Sequence, residues 1–165
     1  MKFLTKIPVL VLLALFSYSC TTDSFEDEIA KIHTEDLIVP QTKSIEVEIL
    51  ELINNYRLSK GLNALKSMTV IKSTAFSHTD YMIDVQKVSH DNFFARSNYL
   101  KDNAGAKRVS ENVAYGFTKA ESVVNAWIRS EGHKKTIEGD FTDFEISAEQ
   151  DVYGKWYYTN IFIKK

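Results

Sequence analysis

The sequence has little cysteine, proline or glycine: one, two and six residues respectively in 165. A lone cysteine excludes an internal disulfide framework. Scarce proline and glycine argue against long low-complexity linkers. Charge of one sign is not in excess either, with 20 Lys and Arg against 22 Asp and Glu and a formal net charge of -2. There is no basic stripe and no run of lysines interleaved with aromatics, so nucleic acid is not an expected partner. Several chemical signatures are missing: GxSxG, a phosphate-binding glycine loop, HExxH, CxxC and the EF-hand loop. No internal repeat is present. What remains is an ordinary globular balance, 44% hydrophobic and 25% charged. Ten Phe, eight Tyr and two Trp can fill a sizeable core. One domain is expected at this length.

The N-terminal stretch MKFLTKIPVLVLLALFSYSC carries Lys2 and Lys6, then an apolar run from Ile7 to Phe16, then small polar residues ending in Cys20. This is the layout of a secretory signal peptide, and the run is short of the ~20 apolar residues that span a bilayer. Cys20 stands where a bacterial lipoprotein signal places its lipidated cysteine, although Ser17 occupies a position where leucine is usual. The alternative is a plain cleaved signal with an incidental cysteine. The expected division is 1–19 signal peptide, 20–42 acidic tether after a lipidated Cys20, and 43–165 folded domain. Acyl chains on Cys20 would make the membrane a partner and the cell envelope the location. Without Lys2 and Lys6 the remainder has 18 basic and 22 acidic residues, about -4. The tether itself, TTDSFEDEIAKIHTEDLIVPQTK, is acidic and aperiodic, with room for a short helix near Phe25 to His33. Its acidic start is similar to surface-export signals of lipoproteins, which puts the outer-membrane surface among the candidate locations.

Periodicity organises the rest. Ile45, Ile49, Leu52, Ile53 and Tyr56 recur at helical spacing, with Ser44 as the expected cap and Gly61 as the stop. A second helix is predicted over 69–87, with Val70, Ala75, His78 and Met82 on one side. A third is predicted over 119–129, with Val123, Val124 and Trp127 facing inward. The C-terminal segment alternates instead: Phe144, Ile146 and Ala148, then Tyr157, Thr159, Ile161 and Ile163, or Trp156, Tyr158 and Phe162 on the other face. Asp151 to Gly154 is the expected hairpin turn. Helices first and a hairpin last predict a layered α+β domain.

The chemistry-bearing residues are few. Glu111 and Asn112 lie in VSENVAYG, a run too apolar for an ordinary charged face, so the carboxylate needs specific partners or a chemical role. His33 falls in the tether and is given no role. His78 lies on an inward helix face and reads as a packing residue. His90, in VSHDNFFARS, and His133, in RSEGHKKTIEG, are expected on loops after helices. Two imidazoles and one carboxylate are a donor set for zinc or another divalent ion with an open position for water. The same trio can serve as acid and base without metal. A third reading is structural: Glu111 fixes one imidazole tautomer and Asn112 bonds loop backbone.

Six segments in order, NNYRLSKGLNAL, AFSHTDYM, VSHDNFFAR, SENVAYG, VVNAWIRSEGHKKTI and YYTNIF, resemble the bacterial branch of the CAP superfamily, which includes cysteine-rich secretory proteins, venom antigens and plant pathogenesis-related proteins. The likeness covers about residues 44–165. It implies a three-layer α-β-α sandwich with a small antiparallel sheet, and a His/Glu cleft that sometimes holds a divalent metal. By motif, His90, Glu111, Asn112 and His133 fall on cleft positions. The second glutamate of eukaryotic members falls on Ser130, with Glu131 adjacent, and their second histidine falls near Tyr157. Ser110, Lys134, Thr136 and Asn160 stand where Gly, Arg, Asn and Gln are common. The resemblance implies an envelope-anchored binding module for a lipid-like, glycan or protein ligand. The alternatives are a metal-dependent hydrolase acting on peptide or cell-wall bonds, with Glu111 as base, and a structural envelope protein with a vestigial cleft.

Overall fold

A computed structural model describes residues 38–165. The signal peptide, Cys20, His33 and most of the tether lie outside the described residues. The elements are α1 (Ser44–Ser59), β1 (Lys66–Ser67), α2 (Thr69–Asp84), α3 (Phe93–Ala104), β2 (Arg108–Tyr115), α4 (Ala120–Arg129), α5 (Glu131–Ile137), β3 (Asp143–Gln150) and β4 (Trp156–Lys164). The strands form one sheet in the order β1-β3-β4-β2. The pairs β2–β4 and β3–β4 are antiparallel, and the two-residue β1 is parallel to β3.

Strand β4 explains the layers. Its side chains alternate between two apolar surfaces, so both faces of the sheet must be covered. Tyr158 and Phe162 join Ile49 and Ile53 of α1, Trp127 of α4 and Ile137 of α5 in one core. Ile161 and Ile163 join Ile71 and Ala75 of α2 and Leu100 of α3 in a second, and Tyr157 packs with Met82 in a third cluster. The expected α-β-α sandwich is therefore present, with α1, α4 and α5 over one face and α2 and α3 over the other. The hairpin turn falls where expected. The Asp151 carboxylate accepts the N–H groups of Tyr153 and Lys155, each at 2.9 Å.

Several local expectations shift. Lys43, not Ser44, is the cap of α1, and its backbone N–H donates to Glu46 at 2.7 Å. Gly61 does stop this helix: at φ +73° it lets the Leu62 N–H return to the Arg57 carbonyl at 3.0 Å. The second helix ends at Asp84, three residues early, before Gln86 turns into the left-handed region at φ 52°. The pattern also missed α3, α5, β1 and β2, so His133 sits on a helix and Glu111 on a strand.

The two edges of the sheet are closed differently. In β3 the even-numbered residues direct their backbone groups outward, because Asp151 and Lys155 are hydrogen-bonded partners in the β3–β4 ladder. Past β1, that edge is sealed by buried side chains: Lys72 Nζ donates to the Ile146 carbonyl at 2.8 Å, and Glu46 Oε1 accepts the Ala148 N–H at 2.8 Å. Lys72 and Glu46 also pair with each other at 2.6 Å, both almost fully buried. Arg57, also buried, donates to the carbonyls of Asn63, Ile137 and Gly139, which fastens the end of α5 to α1.

Removing one member of a buried pair leaves an uncompensated charge, which costs about 3–5 kcal/mol. Lys72→Met should lower the unfolding free energy by that order in urea titration. The double variant Lys72→Met/Glu46→Gln should lose clearly less than the sum of the two single variants. Additive losses would contradict a coupled edge seal.

Candidate functional site

The site is assembled around the edge strand β2. Successive residues of a strand point to opposite faces. Glu111 therefore faces α2 and α3, and Asn112 faces α4 and α5. The Glu111 side chain is 1% exposed. A carboxylate so buried needs cationic or donor partners, or it takes up a proton.

Those partners come from the α2–α3 side. Asn92, in the left-handed conformation at φ 59°, turns the chain into α3 and carries Arg96 over the strand. Arg96 Nε donates to Glu111 Oε2 and Nη2 to Oε1, both at 2.9 Å, a two-pronged guanidinium–carboxylate pair. Its third nitrogen donates to the Asp91 carbonyl at 2.6 Å. His90 Nδ1 lies 2.9 Å from Glu111 Oε1. An ionised carboxylate only accepts, so Nδ1 donates, and in the neutral ring Nε2 is the acceptor. The His90 ring is half exposed. Burial pushes the Glu111 carboxyl up, but the His90 hydrogen bond and the Arg96 charge outweigh it and hold it below the ordinary value of 4.5.

His78 lies beneath. Its Nε2 donates to the Ser89 carbonyl at 2.8 Å and stands 3.7 Å from Glu111 Oε1. Its Nδ1 is buried without a hydrogen-bond partner among the described residues. Burial lowers its pKa more than Glu111 raises it, so the ring is neutral.

On the other face, the Asn112 amide donates to the His133 carbonyl at 3.1 Å, so it bonds backbone of helix α5 where loop backbone was expected. His133 Nδ1 is 2.9 Å from the hydroxyl of Ser130, which stands between α4 and α5. Burial, then the charge of His90, lowers the His133 pKa. Glu131 is exposed in the first turn of α5. Tyr157 is 3% exposed on β4, with its ring 5.7 Å from that of Tyr115. Of the expected trio, His90 and Glu111 meet directly. His133 lies across the strand, tied to Asn112 through its backbone, with no bond to Glu111.

A divalent cation fits this arrangement poorly. Both Glu111 oxygens are already occupied, and the Arg96 guanidinium is itself the counter-cation. Among the described residues, no group of three or more His, Cys, Asp or Glu is placed to hold a metal ion. Sequence reasoning missed Arg96 and the closeness of His78 to Glu111. The signal for Arg96 was available: it stands in the same segment as His90, and a buried carboxylate calls for a cation.

Comparison with known proteins adds relatives. The family model described as the cysteine-rich secretory protein family, CAP, matches residues 50–162. Over 131 residues, 76% of this chain, the sequence is 30% identical to a Bacillus subtilis protein called the uncharacterized membrane protein YlbC. The chain spans only 36% of that relative's length. An extracellular protein containing an SCP domain from Bacillus anthracis is 26% identical with a TM-score of 0.63, covering 76% of this chain and 45% of that one. An outer surface protein from Borrelia burgdorferi shares the fold at 20% identity and a TM-score of 0.68, covering 76% and 96%.

Two outcomes test the ion pair. Arg96→Met strands a buried carboxylate and should cost about 3–5 kcal/mol in denaturant unfolding. Because the folded Glu111 pKa lies below 4.5, the unfolded chain takes up the proton first as pH falls. The stability from ionised Glu111 is thus complete above about that pH and is lost as pH drops through the folded value. The stability gap between wild type and Glu111→Gln should be widest near neutrality and narrow in acid. A gap that grows in acid would contradict the assignment.

Proposed function

This chain belongs to the cysteine-rich secretory protein family, and from that premise we propose that it is a binding module of the bacterial cell envelope whose recognition site is the cleft framed by His90 and His133. The observation that carries the reading is the state of Glu111. Its oxygens accept from Arg96 twice and from His90 once, so the carboxylate organises the site and does not act on a substrate. What this rim offers a ligand is a half-exposed imidazole oriented by Glu111 and a second imidazole braced by Ser130. Pre-set hydrogen-bonding groups suit recognition, because little ordering is needed when the ligand arrives.

The hydrolase alternative needs a carboxylate free to take a proton from metal-bound water. Glu111 is committed to Arg96 and His90. The zinc expectation weakens for the same reason. Relatives described as a membrane protein, an extracellular protein and an outer surface protein support an exported location. Lipid attachment at Cys20 remains part of the proposal on the sequence alone.

The test uses the purified full chain. Calorimetric titration with zinc should give no stoichiometric isotherm that depends on His90 or His133. Peptide and peptidoglycan substrates should show no chelator-sensitive turnover. Panels of lipid vesicles, immobilised glycans and displayed peptides should include a class retained by wild type and retained at least tenfold less by folded His90→Ala/His133→Ala. Chelator-sensitive cleavage lost in Glu111→Gln would establish the hydrolase instead. Retention of no class would leave the cleft vestigial.

A further inference from the structure

The outer edge of β2 differs from the sealed edge of β3. Gly116 and Trp156, the next partners after Tyr115 and Tyr157, are joined by the Gly116 N–H at 2.8 Å. In an antiparallel ladder hydrogen-bonded and non-hydrogen-bonded pairs alternate. Residues 108, 110, 112 and 114 therefore bond to β4, and the N–H and C=O groups of Val109, Glu111, Val113 and Tyr115 point away from the sheet. Trp127 confirms the parity: its indole Nε1 donates to the Val113 carbonyl at 3.1 Å. Among the described residues that is the one of these eight outward N–H and C=O groups with a hydrogen-bond partner. Glu111 shows where the opening lies. The whole residue is 8% exposed but its side chain only 1%, so the surface it keeps is main chain.

An open row of backbone groups is a template for another strand, and proteins usually block it. Here one edge is blocked by a buried ion pair and the other is not. Beside the open edge, between β2 and α5, lies a groove of about 630 Å³ lined by charges of both signs, Arg108, Lys134 and Lys135 with Glu131 and Glu138, next to Phe141; Lys134 is paired with Glu138. Arg108 lies over the Phe141 ring at 4.4 Å and donates to the Asp140 carbonyl, and among the described residues neither it nor Lys135 has a carboxylate within ion-pair distance. Cations without carboxylate partners beside a strand edge suit an acidic side chain on the incoming segment.

We infer that the β2 edge at Val109 and Glu111, short of the Val113 carbonyl that Trp127 covers, is a docking site for an extended peptide, which adds to the sheet as a strand and places a carboxylate against Arg108 and Lys135. This inference rests on the binding-module reading and names the ligand class of the same region. Main-chain bonds would supply affinity, with His90 on one flank and the α5 groove on the other supplying selectivity.

The probe is a displayed library of ten-residue peptides panned against the full chain, with selected peptides resynthesised. Val109→Pro removes an outward N–H that has no partner within the chain, and proline is tolerated on edge strands. That variant should melt close to wild type yet bind the selected peptides at least tenfold more weakly. N-methylation of alternate peptide amides, in one of the two registers, should weaken binding to wild type equally. Arg108→Ala should reduce the preference for acidic peptides. Selected peptides indifferent to both Val109→Pro and N-methylation, yet lost in His90→Ala/His133→Ala, would overturn strand addition and leave the binding module standing. A library yielding no binder sensitive to Val109→Pro overturns the inference as well. Self-association abolished by Val109→Pro would assign the edge to a second copy and equally overturn it.

Discussion

The fork between Arg96 and Glu111 is the contact on which the site depends. A carboxylate 1% exposed would otherwise take up a proton or force its strand outward. The guanidinium matches both oxygens and leaves one free direction on Oε1, which His90 fills. From this follow the orientation of the His90 ring, with Nδ1 turned to Glu111, and the docking of α3 against β2. The same fork decides the chemistry: a carboxylate already neutralised within the protein is a weak candidate for metal ligand or general base. The likeness of the donor set to a metal site is thus a likeness of residue types, while the geometry belongs to an internal ion pair.

The sheet carries a second constraint. Because β4 is apolar on both sides, helices must cover both faces, and function is pushed to the rims. At one rim Lys72 and Glu46 replace a missing strand, bonding the backbone of β3 as a neighbour would. At the other, Trp127 bonds a single carbonyl of β2 and Asn112 ties α5 alongside. His90 and His133 flank this second rim, one from each helical layer. The recognition groups and the open strand edge therefore share one side of the molecule.

Much of this was legible in the sequence. The helices with three or more apolar residues at helical spacing were found, as was the hairpin, because burial on one stripe or on alternate faces imposes those periods. The seven-residue α5 is too short to display a period, and β1 is shorter still. Helix α3 mixes Phe93 and Leu100 with Asn98, Lys101 and Asp102, and half of its inward face is the polar pair Arg96 and Ser97. Strand β2 hides itself because Glu111 and Asn112 interrupt the apolar pattern on both faces. The residues that make the site are the ones that break the rule for finding its strand. Family likeness located His90, Glu111, Asn112 and His133, but only the fold shows that Arg96 claims the carboxylate and that His133 stands across the strand from it.

The most direct measurement of this account is the imidazole tautomer of His90, read from long-range proton–nitrogen correlations in NMR of the full chain at mildly alkaline pH. The account predicts a protonated Nδ1, protected from exchange by Glu111, and an unprotonated Nε2, with a pattern unchanged when stoichiometric zinc is added. A proton on Nε2, or nitrogen shifts of His90 and His133 that move together with zinc, would contradict the claim that Glu111 serves as an organiser held by Arg96.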